Sequence, residues 1–161
     1  MPHLPSHAFA GRRRGTMAAL AIAALGTTLA AAPAAAAPPD PSAVCSFRYA
    51  NPNLFAVSAY ANVFVRPAGP GAIRVRLDSN PLSIAGYTQR VTLTWANLDT
   101  GKSGSSASTP VRVSGLSSSI TLPRAVTGRG KVTLVVGAAN TGSINPRSNT
   151  NGDCSAEYVV S

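Results

Sequence analysis

The sequence predicts an all-β domain, two packed antiparallel sheets of about seven to nine strands, behind a cleaved leader. Three observations carry that expectation. Apolar residues recur with a period of two in segment after segment, most cleanly over residues 89–98, where Val91, Leu93 and Trp95 alternate with Arg90, Thr92 and Thr94. Turn chemistry built on Gly, Pro and Asn separates these segments, and nothing after residue 37 holds a helical period. Two cysteines fall at core-facing positions of the first and last segments. Trp95, the single tryptophan, is expected at the centre of the core.

The chain opens on Arg12, Arg13 and Arg14, an apolar run over residues 17–32 and four alanines at 34–37. That order reads as a signal peptide. The run is short and weakly apolar for a membrane span. The expected division is a signal peptide over residues 1–36, a Pro-rich lead-in over 37–43 and a sandwich domain over 44–161. No bulky apolar pair follows the arginines, so general secretion is expected, and the context of Cys45 does not suit lipid attachment. The product is expected outside the cell or in the cell envelope, with no transmembrane span after cleavage. Cleavage removes three arginines and both histidines, His3 and His7, and leaves eleven basic against five acidic side chains, a net charge of +6.

The elements follow in order. Cys45, Phe47 and Tyr49 share one face of a first strand, with Ser46 and Arg48 on the other. Asn51, Pro52 and Asn53 form a turn. Residues 54–66 form a long strand with Phe55, Val57, Ala59, Ala61, Val63 and Val65 inward and a bulge or break near Ala59. Residues 67–71 make a tight connection to a strand with Ile73, Val75 and Leu77 inward and Arg74, Arg76 and Asp78 outward. Residues 79–88 are expected to be a loop, and residues 98–109 a loop or weak edge strand. Short strands surround Val111–Val113 and Ile120–Leu122. Residues 131–139, apolar on both faces at Val135, read as a central strand. Residues 140–153 are expected to be a long turn-rich loop. The last strand turns Cys154, Ala156, Tyr158 and Val160 inward.

By analogy the likeliest version is an immunoglobulin-like β-sandwich, although the Cys-Trp-Cys spacing of antibody domains is absent. In an exported chain Cys45 and Cys154 are expected to form one disulfide. Closing a loop of about 110 residues removes on the order of 4–5 kcal/mol of unfolded-chain entropy.

Several motifs look chemical and are discounted. Residues 96–103 resemble a relaxed phosphate-binding loop, but the Gly/Ser-rich segment after Lys102 will not form the helix that converges amides on a phosphate. Lys102-Ser103-Gly104 and Ser143-Ile144-Asn145 resemble two signatures of penicillin-binding enzymes, but the nucleophile motif is missing. Without histidine, and with both cysteines oxidised, no base sits beside a nucleophile. Asp40, Asp78, Asp99, Asp153 and Glu157 are scattered. Residues 149–153 carry too few oxygen ligands for calcium. No enzyme activity, metal or cofactor is expected.

What remains is surface charge. Arg74, Arg76, Arg90 and Arg112 occupy outward strand positions and form the candidate anion-binding surface. The expected function is a non-enzymatic binding module for an anionic envelope polymer, an anionic lipid headgroup or an extracellular protein. Nucleic acid fits poorly, because stacking aromatics are scarce and Tyr60 and Tyr87 are expected in core or loop. The alternatives are a structural, antigen-like surface protein and an extracellular protease inhibitor presenting residues 140–153.

Overall fold

A computed structural model describes residues 42–161. The expected signal peptide and all but the last two residues of the lead-in lie outside the described residues. Ten strands and no helix make up the described chain. They are β1 (Cys45–Asn51), β2 (Leu54–Pro67), β3 (Ala72–Asn80), β4 (Ser83–Asn97), β5 (Ser103–Ala107), β6 (Val111–Gly115), β7 (Ser118–Thr121), β8 (Ala125–Val126), β9 (Gly130–Gly142) and β10 (Asn149–Val160).

Two antiparallel sheets result. Sheet 1 has the order β1-β2-β3, with β7 and β8 both pairing along the far side of β3. Sheet 2 has the order β10-β9-β4, with β5 and β6 sharing the far side of β4. The chain stays in sheet 1 for three strands before it first crosses. The connections β1–β2, β3–β4, β6–β7 and β9–β10 gather at what we call the upper end, β2–β3, β4–β5 and β8–β9 at the lower end, and β5–β6 and β7–β8 run part-way along the edges of β4 and β3.

The inward faces bury Val63, Val65, Ile73, Val75 and Leu77 against Val91, Leu93, Val132, Leu134 and Val136. Each such side chain contributes about 1.5–3 kcal/mol on leaving water. The upper half of the core is polar instead. Tyr49 and Tyr87 share a 2.9 Å hydroxyl contact, and Gln89 donates to the Tyr49 hydroxyl at 3.1 Å and to Asn140 Oδ1 at 2.8 Å. Burial first, and the Tyr49 hydroxyl second, push the Tyr87 phenol far above its usual pKa.

Cys45 and Cys154 form the expected disulfide, with Cα atoms 6.1 Å apart. It ties β1 to β10, edge strands of different sheets, so one side of the sandwich is closed covalently. The opposite side is open, with a depression of about 500 Å³ beside Ser108, Val111, Ile120 and Leu122.

Four expectations are corrected. Trp95 is half-buried near the lower end of β4, and Tyr87, in the upper half, is the largest fully buried side chain. The indole lies over Gly104 of edge strand β5, where an added Cβ would stand 2.7 Å from Trp95 Cζ2. Phe55 is 59% exposed. The register slips where Ala50 pairs with Ser58 but Asn51 pairs with Leu54, so residues 55–57 bulge away from the core and the irregularity lies above Ala59. Residues 79–88 are not a loop: only Pro81 and Leu82 separate β3 from β4, and a bulge at Gly86 (φ 68°) lets β4 continue. A Cβ at Gly86 would meet the Val113 carbonyl at 2.9 Å. Residues 140–153 are mostly strand, because their polar side chains bond across the hairpin. Asn140 Nδ2 donates to the Thr150 carbonyl and Thr141 Oγ1 to Asn149 Oδ1, leaving a connection of 143–148 alone.

Candidate binding surface

The outer face of sheet 1 is built from the positions that alternate with the core residues of β1, β2 and β3. Arg48 stands opposite Tyr60, and Tyr60 opposite Asn80. Farther down, Phe64 is opposite Arg76, and Arg66 opposite Arg74. Arg48, Arg66 and Arg74 are exposed, and Tyr60 is 46% exposed. Four arginines and two aromatics therefore share one face over a stretch of β2, residues 60–66, about 20 Å long.

The arginines are not equivalent. The Arg76 guanidinium lies 4.8 Å from the centroid of the Phe64 ring and pairs with Asp78 at 2.9 Å. Ser119 Oγ donates to the same carboxylate at 2.7 Å. Arg76 is thus fixed and neutralised in place. Arg48 and Arg74 carry exposed charge at either end of the row. Arg66 and Arg74 oppose each other directly, an arrangement of like charges that weakens strand pairing. Arg124 adds a further cation at the lower end, where its Nε donates to the Ala68 carbonyl at 2.8 Å.

The four arginines singled out by the sequence fall into two pairs. Arg74 and Arg76 lie on β3 in sheet 1. Arg90 on β4 and Arg112 on β6 lie on the outer face of sheet 2, opposite Ala139 and Thr88 respectively. The two pairs face away from each other and do not form one stripe. Around Arg90 the sheet 2 face is small and polar, with Thr88, Thr92, Thr94, Gly137 and Thr141, and it carries the exposed carboxylate of Asp153 across from Gly137. The Arg112 guanidinium is anchored on the Ala85 carbonyl.

No family model, curated protein or solved structure matches this chain. The assignment of a surface therefore rests on geometry. Residues 96–103, which resemble a phosphate loop, form the β4–β5 hairpin, with Lys102 running into a strand and not a helix. Lys102 is at the lower end and Ser143 at the upper, so the two penicillin-binding signatures do not meet. Residues 149–153 belong to β10. Among the described residues, no group of three or more His, Cys, Asp or Glu is placed to hold a metal, and no helix is long and apolar enough to cross a membrane.

Arg48, Tyr60, Phe64 and Arg66 were not among the sequence candidates. The signal was present nonetheless. The turn at 51–53 and the tight connection at 67–71 imply that β1, β2 and β3 pair as a meander, which puts the outward positions of all three on one face. Tyr60 was expected in core or loop, but it shares the parity of Ser58 and Asn62 and faces outward.

Proposed function

We propose that the protein is a non-enzymatic module of the immunoglobulin-like class, exported by its leader and held outside the cell or at the envelope. Its ligand is an anionic polysaccharide laid along the outer face of sheet 1. The observation that carries this reading is the row of Arg48, Tyr60, Phe64 and Arg74 on neighbouring strands. Exposed guanidinium groups at both ends bind carboxylates or sulfates, and the exposed Tyr60 ring between them stacks on a sugar face, while Phe64 under Arg76 backs the row. The disulfide fits an oxidising compartment. The immunoglobulin-like label extends to two packed antiparallel sheets with strands that cross between them. A constant-type immunoglobulin chain leaves its first sheet after two strands, and this one after three.

The test is retention on an immobilised polyuronate at low and high salt, with a neutral glucan as control. Wild-type protein is expected to bind the polyuronate at low salt and elute at high salt. Arg48→Ser with Arg74→Ser is expected to weaken binding about tenfold, since two exposed ion pairs contribute on the order of 1–2 kcal/mol. Arg90→Ser is expected to change nothing. Equal loss from Arg90→Ser, or none from the Arg48/Arg74 pair, overturns the reading. Absence of retention favours a structural surface protein without a dedicated ligand.

A further inference from the structure

The upper end of the sandwich carries a second surface, distinct from the sheet 1 face and independent of the polysaccharide reading. Its tips are apolar. Ile84 is fully exposed, Leu116 is 72% exposed and Ile144 70%. Leu54 is 60% exposed, Phe55 59% and Leu82 38%. These six side chains come from all four upper connections or the strand residues next to them, and hydrogen bonds bring those connections together. Asn51 Nδ2 donates to the Pro81 and Leu82 carbonyls, and Asn53 Nδ2 donates to the Gly86 carbonyl. Asn53 Oδ1 accepts from the amides of Ser143 and Ile144, and Ser83 pairs with Gly115. Leu82 is held at φ 46°, a left-handed conformation that L-residues adopt at a cost. Asn51, wholly buried, bonds its carbonyl and so holds the tip in place.

Charge at this end has one sign. Arg147 lies exposed in the 143–148 connection, and Arg112 reaches the Ala85 carbonyl from β6. None of the described acidic residues lies in an upper connection. Asp78, two residues below the end of β3, is paired with Arg76. Asp99 is at the lower end.

We infer that the upper end docks on an anionic lipid bilayer, with the apolar tips in the acyl boundary and Arg112 and Arg147 at the level of the headgroups. Three features select a bilayer over a shaped protein partner. The exposed apolar residues project from four separate connections, so they fit a soft phase that closes around each of them. They stand on rigid, cross-bonded connections, so little ordering is needed on binding. The arginines beside them match an anionic headgroup layer, and no carboxylate among the end connections opposes it.

The test is flotation of the full chain with vesicles of equal phosphatidylglycerol and phosphatidylcholine, and with phosphatidylcholine alone. All variants keep the same first 41 residues. Wild type is expected to float with the anionic vesicles. Phe55→Ser, Ile84→Ser and Ile144→Ser together are expected to lower the vesicle-bound fraction about tenfold or more. Arg147→Ser is expected to weaken binding to anionic vesicles only.

A second readout separates this end from any lipid contact elsewhere. Phe55→Trp is expected to add an emission that shifts to the blue on vesicles and is quenched by brominated acyl chains. Trp95, near the other end, is expected to show neither change. Equal flotation of the triple variant, unshifted emission from Phe55→Trp on bound vesicles, or no wild-type binding at all overturns the inference. The last outcome leaves the end as a protein-binding surface.

Discussion

The two ends of the sandwich are held by the same device and differ in what they expose, mainly apolar tips above and mainly charge below. At the upper end Asn51 and Asn53 bond the β3–β4 and β9–β10 connections. At the lower end Asn97 does the equivalent. Its Nδ2 donates to the Thr127 and Arg129 carbonyls at 3.0 and 2.9 Å, and its Oδ1 accepts from the amides of Asp99 and Thr100 at 3.0 Å each. Asp99 Oδ2 then accepts from the Lys131 amide at 2.9 Å. Asn51 and Asn97 are both buried, and both satisfy backbone groups that strand pairing leaves over. Yet the upper tips are six exposed Leu, Phe and Ile side chains, whereas the lower end carries Lys102, Arg124, Arg129 and Asp99 around the exposed apolar residues Leu98 and Val126. The core differs in the same sense, hydrogen-bonded above and apolar below. Stability is thus supplied by buried asparagines that face inward, which leaves the outward tips free to differ in what they contact.

The largest effect expected is common to both ends. The disulfide joins strands 109 residues apart, near mid-height of the sheets. Cys45→Ser with Cys154→Ser is expected to cost about 4–5 kcal/mol in urea unfolding. Amide exchange is expected to quicken in the upper and lower connections alike. Protection lost at one end alone would show that the bond serves that end.

The asparagine substitutions separate the ends. Asn51→Ala and Asn97→Ala are each expected to cost about 2–4 kcal/mol, because each strands several buried backbone groups. Exchange is expected to quicken near residues 81–86 in the first and at Asp99 and Thr100 in the second, with the other end unmoved. Coupled loss at both ends would break the comparison.

The smallest effect concerns the polar half of the core. The Tyr87 phenol titrates above its unfolded value, so the folded state keeps its proton where the unfolded chain releases it. Its contribution is fully present below about pH 10 and is lost as pH rises beyond that, at about 1.4 kcal/mol per pH unit. Tyr87→Phe is expected to be less stable at pH 8 and to show a shallower fall of stability between about pH 10 and 12. A fall parallel to wild type would place the alkaline sensitivity elsewhere.

Much of this architecture was legible in the residues themselves. The inward series Cys45, Phe47, Tyr49 and Ile73, Val75, Leu77 face the core as their period predicts, because a strand side chain has only two faces to choose from. The disulfide followed from two cysteines at inward positions. The misreadings have a common cause. Intrinsic polarity alone puts Trp95 and Phe55 in the core and Asn140 in a loop. Their burial depends on where each strand ends, where it bulges and which partner faces it across the sheet. Asn140 is buried because Gln89 and Thr150 satisfy it, and Phe55 is exposed because the register slips beneath it.

Local pattern therefore determined the strands, their inward faces and the bridge between the first and the last. Tertiary structure alone decided which outward residues became neighbours. It set Arg74 beside Arg66 and turned Arg90 to the opposite face, and it gathered six apolar tips at one end. Period two says which side of its own sheet a residue faces. It says nothing of which strands share that sheet, because pairing is settled by long-range register and by the crossings between layers.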